Sequence, residues 1–301
     1  MTRPAATRVR AAAPLAAATV TASAGGTFGE LLQGALPDGR DFLVTLPITR
    51  RAVATLTLDP GLAGFDVEPA NRLKSLGLVT KALAETGLPY GGRLRLDGDL
   101  PVGKGFASSS ADLVATARAL GTALGTPYTP EEIAGMLREI EPTDGVMYPG
   151  AVAFYHREVR LREVFGPLPP ITIIAVDEGG EVDTVAFNKL AKPYTRAERR
   201  RFARLLAMAG TAIRAGDLPL IGAVATESAL LNQKLRPKRT LPEMIAICRE
   251  TGGIGVSVAH SGTTVGLLVP DDDPHHVEKV TEALERCRRL TSRVAVYHSE
   301  G

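Results

Sequence analysis

Residues 101–112 form the segment whose residue types point most directly to chemistry. They read PVGKGFASSSAD and lie between an alternating, strand-like stretch and a helix with one apolar stripe. Gly103 and Gly105 allow a tight turn with exposed N–H groups, and the positive N-terminus of the following helix attracts anions. Serine hydroxyls can contact phosphate or complete a Mg²⁺ shell. The segment predicts a phosphate-binding loop, but an ordinary strand-to-helix loop with serine N-caps fits the same residues.

Two other glycine-rich loops do not match this segment. A Walker A loop needs the pattern GxxxxGK[ST], whereas Lys104 here lies between two glycines. A dinucleotide-binding fingerprint needs a third glycine at the position where this chain has Ser108. The loop therefore predicts neither a P-loop NTPase nor a dinucleotide-binding domain.

A second group of useful residues is the turn Glu141-Pro142-Thr143-Asp144. Pro142 ends the preceding helix, so Glu141 and Asp144 lie on a rigid turn. Phosphoryl transfer uses a carboxylate on the metal and, in some enzymes, a second carboxylate near the acceptor hydroxyl. This turn supplies both, although a helix C-terminus with an ordinary Asx turn explains the same residues when the segment is taken alone.

The elements that must position these residues follow from the hydrophobic periodicity. In the first half we predict strands at 42–47, 52–58 and 93–97, β-rich segments before Thr27 and at 151–155, and helices at 71–86, 110–125 and 129–140. After the proline-rich stretch 166–170 we predict strands at 171–176, 254–259, 264–268 and 293–297 and helices at 195–215, 217–234, 240–250 and 274–290. This order is typical of an α+β fold with an antiparallel sheet. It divides the chain into a flexible arm (1–18), an N-terminal domain (19–167) and a C-terminal domain (168–301).

The composition indicates an ordinary globular protein. Its 35 Lys and Arg residues nearly balance 33 Asp and Glu residues, which gives a net charge of +2, so the sequence predicts neither a nucleic-acid partner nor a membrane surface. The basic run at 196–204 is the solvated face of an amphipathic helix. The two cysteines, Cys248 and Cys287, are isolated, which indicates a reducing, cytoplasmic environment. The sequence does not specify the oligomeric state and is compatible with a homodimer.

The phosphate loop resembles the second motif of the GHMP kinases, the galacto-, homoserine-, mevalonate- and phosphomevalonate-kinase superfamily. That motif reads PxxxGLGSSA, and residues 101–110 read PVGKGFASSS. Phe106, Ala107 and Ser110 depart from the commonest form. The fuller string GKGxASSxAD is similar to the L-threonine kinase group of cobalamin synthesis, which has alanine at the position of Ala107.

Further segments extend the resemblance. Residues 27–34, TFGELLQG, are similar to the start of the threonine-kinase group, and the turn Glu-Pro-Thr-Asp is the form found in that group. Residues 253–266, GIGVSVAHSGTTVG, are similar to the third motif of the superfamily in its Ala-His-Ser-Gly-Thr form. Residues 183–188, with Asp183 and Thr184 followed by Phe187 and Asn188, also look like the threonine-kinase pattern. The motifs at 27–34, 101–112 and 253–266 occur in the family's order.

The resemblance implies roles for individual residues. Asp144 would deprotonate or orient the acceptor hydroxyl, with Lys104 as a second catalytic residue. Mg²⁺ would be bound by Ser109 and Glu141, with Glu139 as a competing ligand. The residues implied in ATP binding are Pro101, Gly103, Lys104, Gly105, Ala107, Ser108, Ser109, Ser110, Ser261 and Gly262. The residues implied in the acceptor pocket are Thr27, Glu30, Gln33, Asp144, Asp183 and His260.

Some of these residues have simpler interpretations. Glu30 would meet the ammonium of an amino-acid substrate and Gln33 a polar edge, but both would also fit a surface turn. For His260 a structural or phosphate-neighbouring role is favoured over that of a general base.

The resemblance also implies the fold and the reaction. We expect a two-domain GHMP kinase fold, with an N-terminal domain like ribosomal protein S5 domain 2 and a ferredoxin-like C-terminal domain. We expect ATP, with Mg²⁺ as cofactor, to phosphorylate L-threonine to O-phospho-L-threonine. Two alternatives stay open: another hydroxyl acceptor such as homoserine or a specialised-pathway metabolite, and a non-catalytic nucleotide sensor.

Overall fold

The computed structural model describes residues 17–182 and 192–301. Ten strands and seven helices are described in these two ranges. The strands are β1 (Ala18–Ala35), β2 (Asp41–Asp59), β3 (Phe65–Glu68), β4 (Gly91–Gly98), β5 (Ala151–Tyr155), β6 (Arg160–Gly166), β7 (Ile171–Asp177), β8 (Gly255–Val258), β9 (Thr264–Pro270) and β10 (Val294–His298). The helices are α1 (Leu73–Thr86), α2 (Ser108–Ala123), α3 (Pro130–Arg138), α4 (Arg196–Ala215), α5 (Leu218–Leu231), α6 (Leu241–Glu250) and α7 (His276–Leu290).

The strands form one sheet in the order β10-β7-β9-β8-β1-β2-β4-β3, with β5 pairing with β2 and β6. Every pairing within it is antiparallel except that between β3 and β4, which is parallel. The two longest strands, β1 and β2, cross the middle of the sheet, and β1 also pairs with β8 through Glu30 and Val258. Strand β1 therefore joins the two halves of the chain.

The register between β1 and β2 shifts three times between Gly25 and Leu32. Such bulges are frequent next to functional sites because they redirect a side chain. Here they lie within the segment 27–34, whose Glu30 is opposite Thr45 on β2 and Val258 on β8.

Helix α2 is the central helix of the N-terminal half. Twelve of its sixteen residues are buried, and it packs against β1 and β2. Helix α3 begins at a capping box in which Thr129 Oγ1 accepts from Glu132 N and the Glu132 side chain accepts from Thr129 N. Because α2 is anchored in the hydrophobic core, the position of the phosphate loop at its N-terminus is fixed.

The α+β order and the antiparallel sheet predicted from the sequence are confirmed. The predicted elements are present with ends shifted by a few residues, but 42–47 and 52–58 belong to one continuous strand, β2. Strands β3 and β6 were not predicted from the periodicity. The predicted boundary at 167 lies between β6 and β7 and stays a prediction, and the predicted arm lies almost wholly outside the described residues.

Across the described ranges, we find no helix that combines the length and the apolar character needed to cross a bilayer.

Candidate active site

A cavity of about 280 Å³ lies where the phosphate loop, the turn at 141–144 and the bulged part of β1 meet. Its walls carry three carboxylates, Glu30, Glu141 and Asp144, and two cationic side chains, Arg72 and Lys74. The loop serines Ser108, Ser109 and Ser110 also line this cavity. Residues far apart in the sequence therefore converge on one space.

The N-terminus of α2 opens into this cavity. Its N-cap is Ala107, whose backbone is left-handed (φ 54°), and within the described residues no side chain caps it. The interpretation of the serines as N-caps is therefore wrong. The first N–H groups of α2 stay available to an anion, and Ser108 and Ser109 line the cavity beside them. Ala107 holds a conformation that glycine adopts with less strain, which explains why glycine is common at this position in the resembling motif.

The phosphate loop is supported by the turn of the third motif. A Cβ at Gly262 would overlap with the carbonyl of Lys104, and a Cβ at Gly105 (φ +90°) would overlap with Ala259. Thr263 N donates to Lys104 O at 3.3 Å. Glycine is needed at both positions because the two backbones approach so closely. Gly262 thus acts by supporting the loop, whereas its neighbour Ser261 lines the cavity.

Lys104 lies outside the lining of this cavity, contrary to the role expected of a catalytic, phosphate-binding lysine. Its Nζ lies 2.9 Å from Asp177 Oδ2 and donates to Gly180 O at 2.6 Å. Burial raises the pKa of Asp177, but the hydrogen bonds from Thr263, Lys104 and Gly179 outweigh it and lower the pKa overall. Lys104 therefore ties the phosphate loop to the end of β7. The sequence could not show this pairing because Asp177 is 73 positions away.

Ser109 and Glu141 form the pair expected of a Mg²⁺ site. Ser109 Oγ donates to Glu141 Oε1 at 2.5 Å, and Lys74 forms an ion pair with the other carboxylate oxygen. Glu139 instead pairs with Lys81 and lines a separate cavity between α1 and α3. Of the two candidate glutamates, only Glu141 faces the phosphate loop.

Asp144 is held in place by Ser110. The hydroxyl of Ser110 accepts from Asp144 N at 3.2 Å and is 2.6 Å from Thr143 Oγ1, so its side chain supports the turn. Burial raises the pKa of Asp144 to about 7, and the nearby carboxylates of Glu30 and Glu141 contribute in the same direction. A carboxyl group that titrates near neutral pH is suited to accept a proton.

Glu30 is buried and is oriented by His260. The backbone N of His260 donates to Glu30 Oε2 at 3.1 Å, and His260 Nδ1 lies 2.8 Å from the same oxygen. Ser228 Oγ lies 3.2 Å from the other ring nitrogen. Glu30 and Gln33 both line the cavity and are buried, so the interpretation as residues of a surface turn is wrong. His260 is not part of the lining and contacts the cavity residue Glu30.

One of the expected acceptor residues, Thr27, lies at a different cavity, and another cannot be placed. Thr27 lines a second cavity of about 200 Å³, together with Arg51 and Arg118. Asp183, with the neighbouring positions 184–188, lies outside the described residues.

Three titratable residues of the cavity, Arg72, Lys74 and His156, were not predicted from the sequence as site residues. Arg72 Nε lies 3.3 Å from Asp112 Oδ2 in α2, and burial raises the pKa of Asp112 to about 6 although Arg72 lowers it. Arg72 and Lys74 stand at the N-terminus of α1, whose first turn contains no acidic residue. Basic residues there oppose the helix dipole, and this was a signal that the sequence offered.

The geometry agrees with what comparison with known proteins shows. The sequence profile of the GHMP kinases N terminal domain matches residues 73–154, and that of the GHMP kinases C terminal domain matches residues 211–289. Together they match more than half of the chain. The chain belongs to the GHMP kinase family.

The curated relatives of this GHMP kinase include two named L-threonine kinase. The one from Salmonella typhimurium is 29% identical over 277 residues, covering 87% of this chain and 86% of the relative. The one from Citrobacter freundii is 26% identical over 264 residues, covering 87% and 90%. Among solved structures, homoserine kinase from Cytophaga hutchinsonii has a TM-score of 0.72 at 16% identity, covering 93% of this chain and 94% of that one. The two-domain GHMP kinase fold expected from the sequence is confirmed.

Proposed function

We propose that this GHMP kinase transfers the γ-phosphate of ATP to the side-chain hydroxyl of an amino acid, with L-threonine as the acceptor. One observation carries the proposal: a single cavity holds the uncapped N-terminus of α2, the Ser109–Glu141 pair and Asp144. The two relatives named L-threonine kinase, each matched over most of its length, support the choice of acceptor.

The phosphates of ATP would lie over the loop, where the N–H groups of α2 and the hydroxyl of Ser108 meet them. Arg72 and Lys74 also line the cavity, where Arg72 is paired with Asp112 and Lys74 with Glu141. The uncapped helix N-terminus and the serine hydroxyls of the loop favour a phosphate group as the ligand there.

The Ser109–Glu141 pair fits Mg²⁺, because it presents two hard oxygen atoms next to the phosphate loop. The described residues contain no cluster of three or more acidic, cysteine or histidine side chains that could hold a metal ion alone. This agrees with a Mg²⁺ ion that takes one or two protein ligands and completes its shell with phosphate oxygens and water. When bound, the ion would neutralise charge on the transferred phosphoryl group.

Asp144 would act on the acceptor. The hydroxyl oxygen forms a bond to the γ-phosphorus, the bond from that phosphorus to the β–γ bridging oxygen breaks, and the hydroxyl proton passes to the Asp144 carboxylate. Ser110 fixes the backbone of Asp144, and His260 fixes Glu30, which would accept a hydrogen bond from the acceptor's ammonium. Lys104 would support the phosphate loop through its ion pair with Asp177.

A panel of acceptors tests the proposal. ADP release is measured with purified protein, MgATP and each of L-threonine, L-serine, L-homoserine, D-threonine, mevalonate and galactose. We expect the highest kcat/KM with L-threonine. A higher kcat/KM with mevalonate or galactose would refute an amino-acid acceptor, and a higher value with L-homoserine would change the acceptor but not the chemistry.

A further inference from the structure

His156 is a buried polar side chain that neither the phosphate loop nor the carboxylates use. It follows directly after β5, is 2% exposed and lines the cavity. Neither ring nitrogen has a hydrogen-bond partner among the described residues. Buried polar atoms are seldom left unpaired, and a cavity-lining imidazole with two free nitrogens indicates a partner that binds in the cavity.

The backbone of His156 is attached to the turn that carries Asp144. Thr143 N donates to His156 O at 3.2 Å, so the backbone of His156 is fixed to the turn of the proposed base, and both His156 and Asp144 line the cavity. On the sheet, β5 pairs with β2 at Leu43 and Val44, and Gln33 on β1 pairs with the same Leu43. His156 therefore belongs to the acceptor end of the cavity and not to the phosphate end.

Cationic side chains lie near His156, and the carboxylates of Asp41 and Glu30 offset part of their charge. Burial lowers its pKa well below the usual value, and the charges of Lys192, Arg157 and His260 lower it further. Lys192 is buried, its Nζ lies 3.9 Å from Asp41 Oδ1, and it makes no hydrogen bond within the described ranges. Asp41 also pairs with Arg157 at 2.9 Å, so one carboxylate faces two cations. A neutral imidazole has one N–H donor, and in this cavity-lining side chain the donor has no acceptor among the described residues, so a bound anion can accept from it.

We propose that His156, with Lys192 behind it, binds the carboxylate of the acceptor, so that the cavity recognises a zwitterion. The inference rests on the proposed function and adds the group that selects its substrate class. The ammonium of the amino acid lies at Glu30, its hydroxyl at Asp144, and its carboxylate accepts the N–H of His156. Acceptors that lack either charge lose one of these contacts.

The test compares L-threonine with L-threoninamide, in which a neutral amide replaces the carboxylate. Steady-state kcat/KM is measured for both acceptors with wild type, His156→Leu, Lys192→Met and the control His275→Leu, an exposed histidine in the loop before α7. Wild type and the control should prefer L-threonine. In His156→Leu, kcat/KM for L-threonine should fall about 10- to 100-fold, the effect of losing a hydrogen bond to a charged group, while that for the amide, whose carbonyl accepts only a weaker neutral hydrogen bond, should fall clearly less.

Lys192→Met should also reduce the ratio of kcat/KM for L-threonine to that for the amide. If His156→Leu does not fold, this variant provides the test. An equal loss for both acceptors, or an unchanged preference in both variants, would overturn the inference and leave the proposed function standing. A wild type that phosphorylates neither compound, although it binds MgATP, would overturn both proposals. The KM for ATP should stay at the wild-type value in each variant, because His156 lies away from the phosphate loop.

Discussion

Ser109 Oγ and Glu141 Oε1 are 2.5 Å apart, which links the phosphate loop to the turn that carries Asp144. The two residues are 32 positions apart in the sequence, and the cavity opens beside their contact. The proposed metal site and the proposed base are therefore parts of one continuous structure.

The first prediction concerns the metal. Ser109→Ala removes one hard oxygen ligand and Glu141→Gln removes the negative charge of the other, so in each variant the Mg²⁺ concentration for half-maximal turnover should rise about tenfold or more. The control is Glu139→Gln, because Glu139 is paired with Lys81 and faces another cavity. A titration of ADP release against Mg²⁺ measures the effect. An equal rise in the Mg²⁺ requirement of Glu139→Gln would show that Glu141 is not the specific metal ligand.

The second prediction concerns the pH dependence of turnover. Because burial raises the pKa of Asp144 to about 7, its carboxylate is protonated below that pH and available as a base above it. At saturating MgATP, kcat/KM for the acceptor should rise from pH 6 to pH 8. Asp144→Asn should lower kcat about 10²- to 10⁴-fold and flatten this rise. If Asp144→Asn keeps the wild-type dependence of kcat/KM on pH, that dependence arises from a group other than Asp144.

The third prediction concerns stability. A carboxyl group with a raised folded-state pKa binds more protons when folded, so its contribution to stability is present at low pH and lost as the pH rises from about 4 through 7. Asp144→Asn removes this partly buried charge and should raise the free energy of unfolding by about 1 to 4 kcal/mol at pH 8, and by less at pH 5. Urea denaturation at both pH values measures the difference. Destabilisation at pH 8 would mean that the charge is compensated in the folded protein.

Part of the site could be predicted from the sequence because the motifs that carry it are local. The loop at 101–112, the turn at 141–144 and the elements that hold them follow from glycine, proline and helical periodicity. The neighbours of Lys104 and His156 could not be predicted. Lys104 is bound by Asp177, and the surroundings of His156 depend on how β5 pairs with β2. These contacts are set by the topology of the sheet, which a single sequence does not specify.

The fourth prediction concerns Lys104. If it supports the loop through Asp177, Lys104→Met and Asp177→Asn should raise the KM for ATP by similar factors, and the double variant should be no worse than the single ones. If Lys104 instead binds the phosphates directly, Lys104→Met should be far more damaging than Asp177→Asn. A double-mutant cycle on the Kd for ATP separates the two outcomes.

The fifth prediction concerns the contact between the loop and the third motif. In Gly262→Ala the new methyl group overlaps with the carbonyl of Lys104, so the loop must shift and ATP binding should weaken at least tenfold. The matched control is Gly77→Ala, in α1, where a Cβ meets nothing within 4 Å and the protein should be as stable or more stable. Calorimetry with ATP measures both variants. Wild-type affinity in Gly262→Ala would show that the loop does not depend on this contact.

The proposed reaction, transfer of a phosphoryl group to the hydroxyl of an amino acid, can be followed by ³¹P NMR of wild-type protein incubated with MgATP and L-threonine. We expect the γ-phosphate signal of ATP to be replaced in equal amount by that of O-phospho-L-threonine, with ADP as the other product. Tight binding of MgATP with release of inorganic phosphate alone, or with no product from any acceptor of the panel, would contradict it.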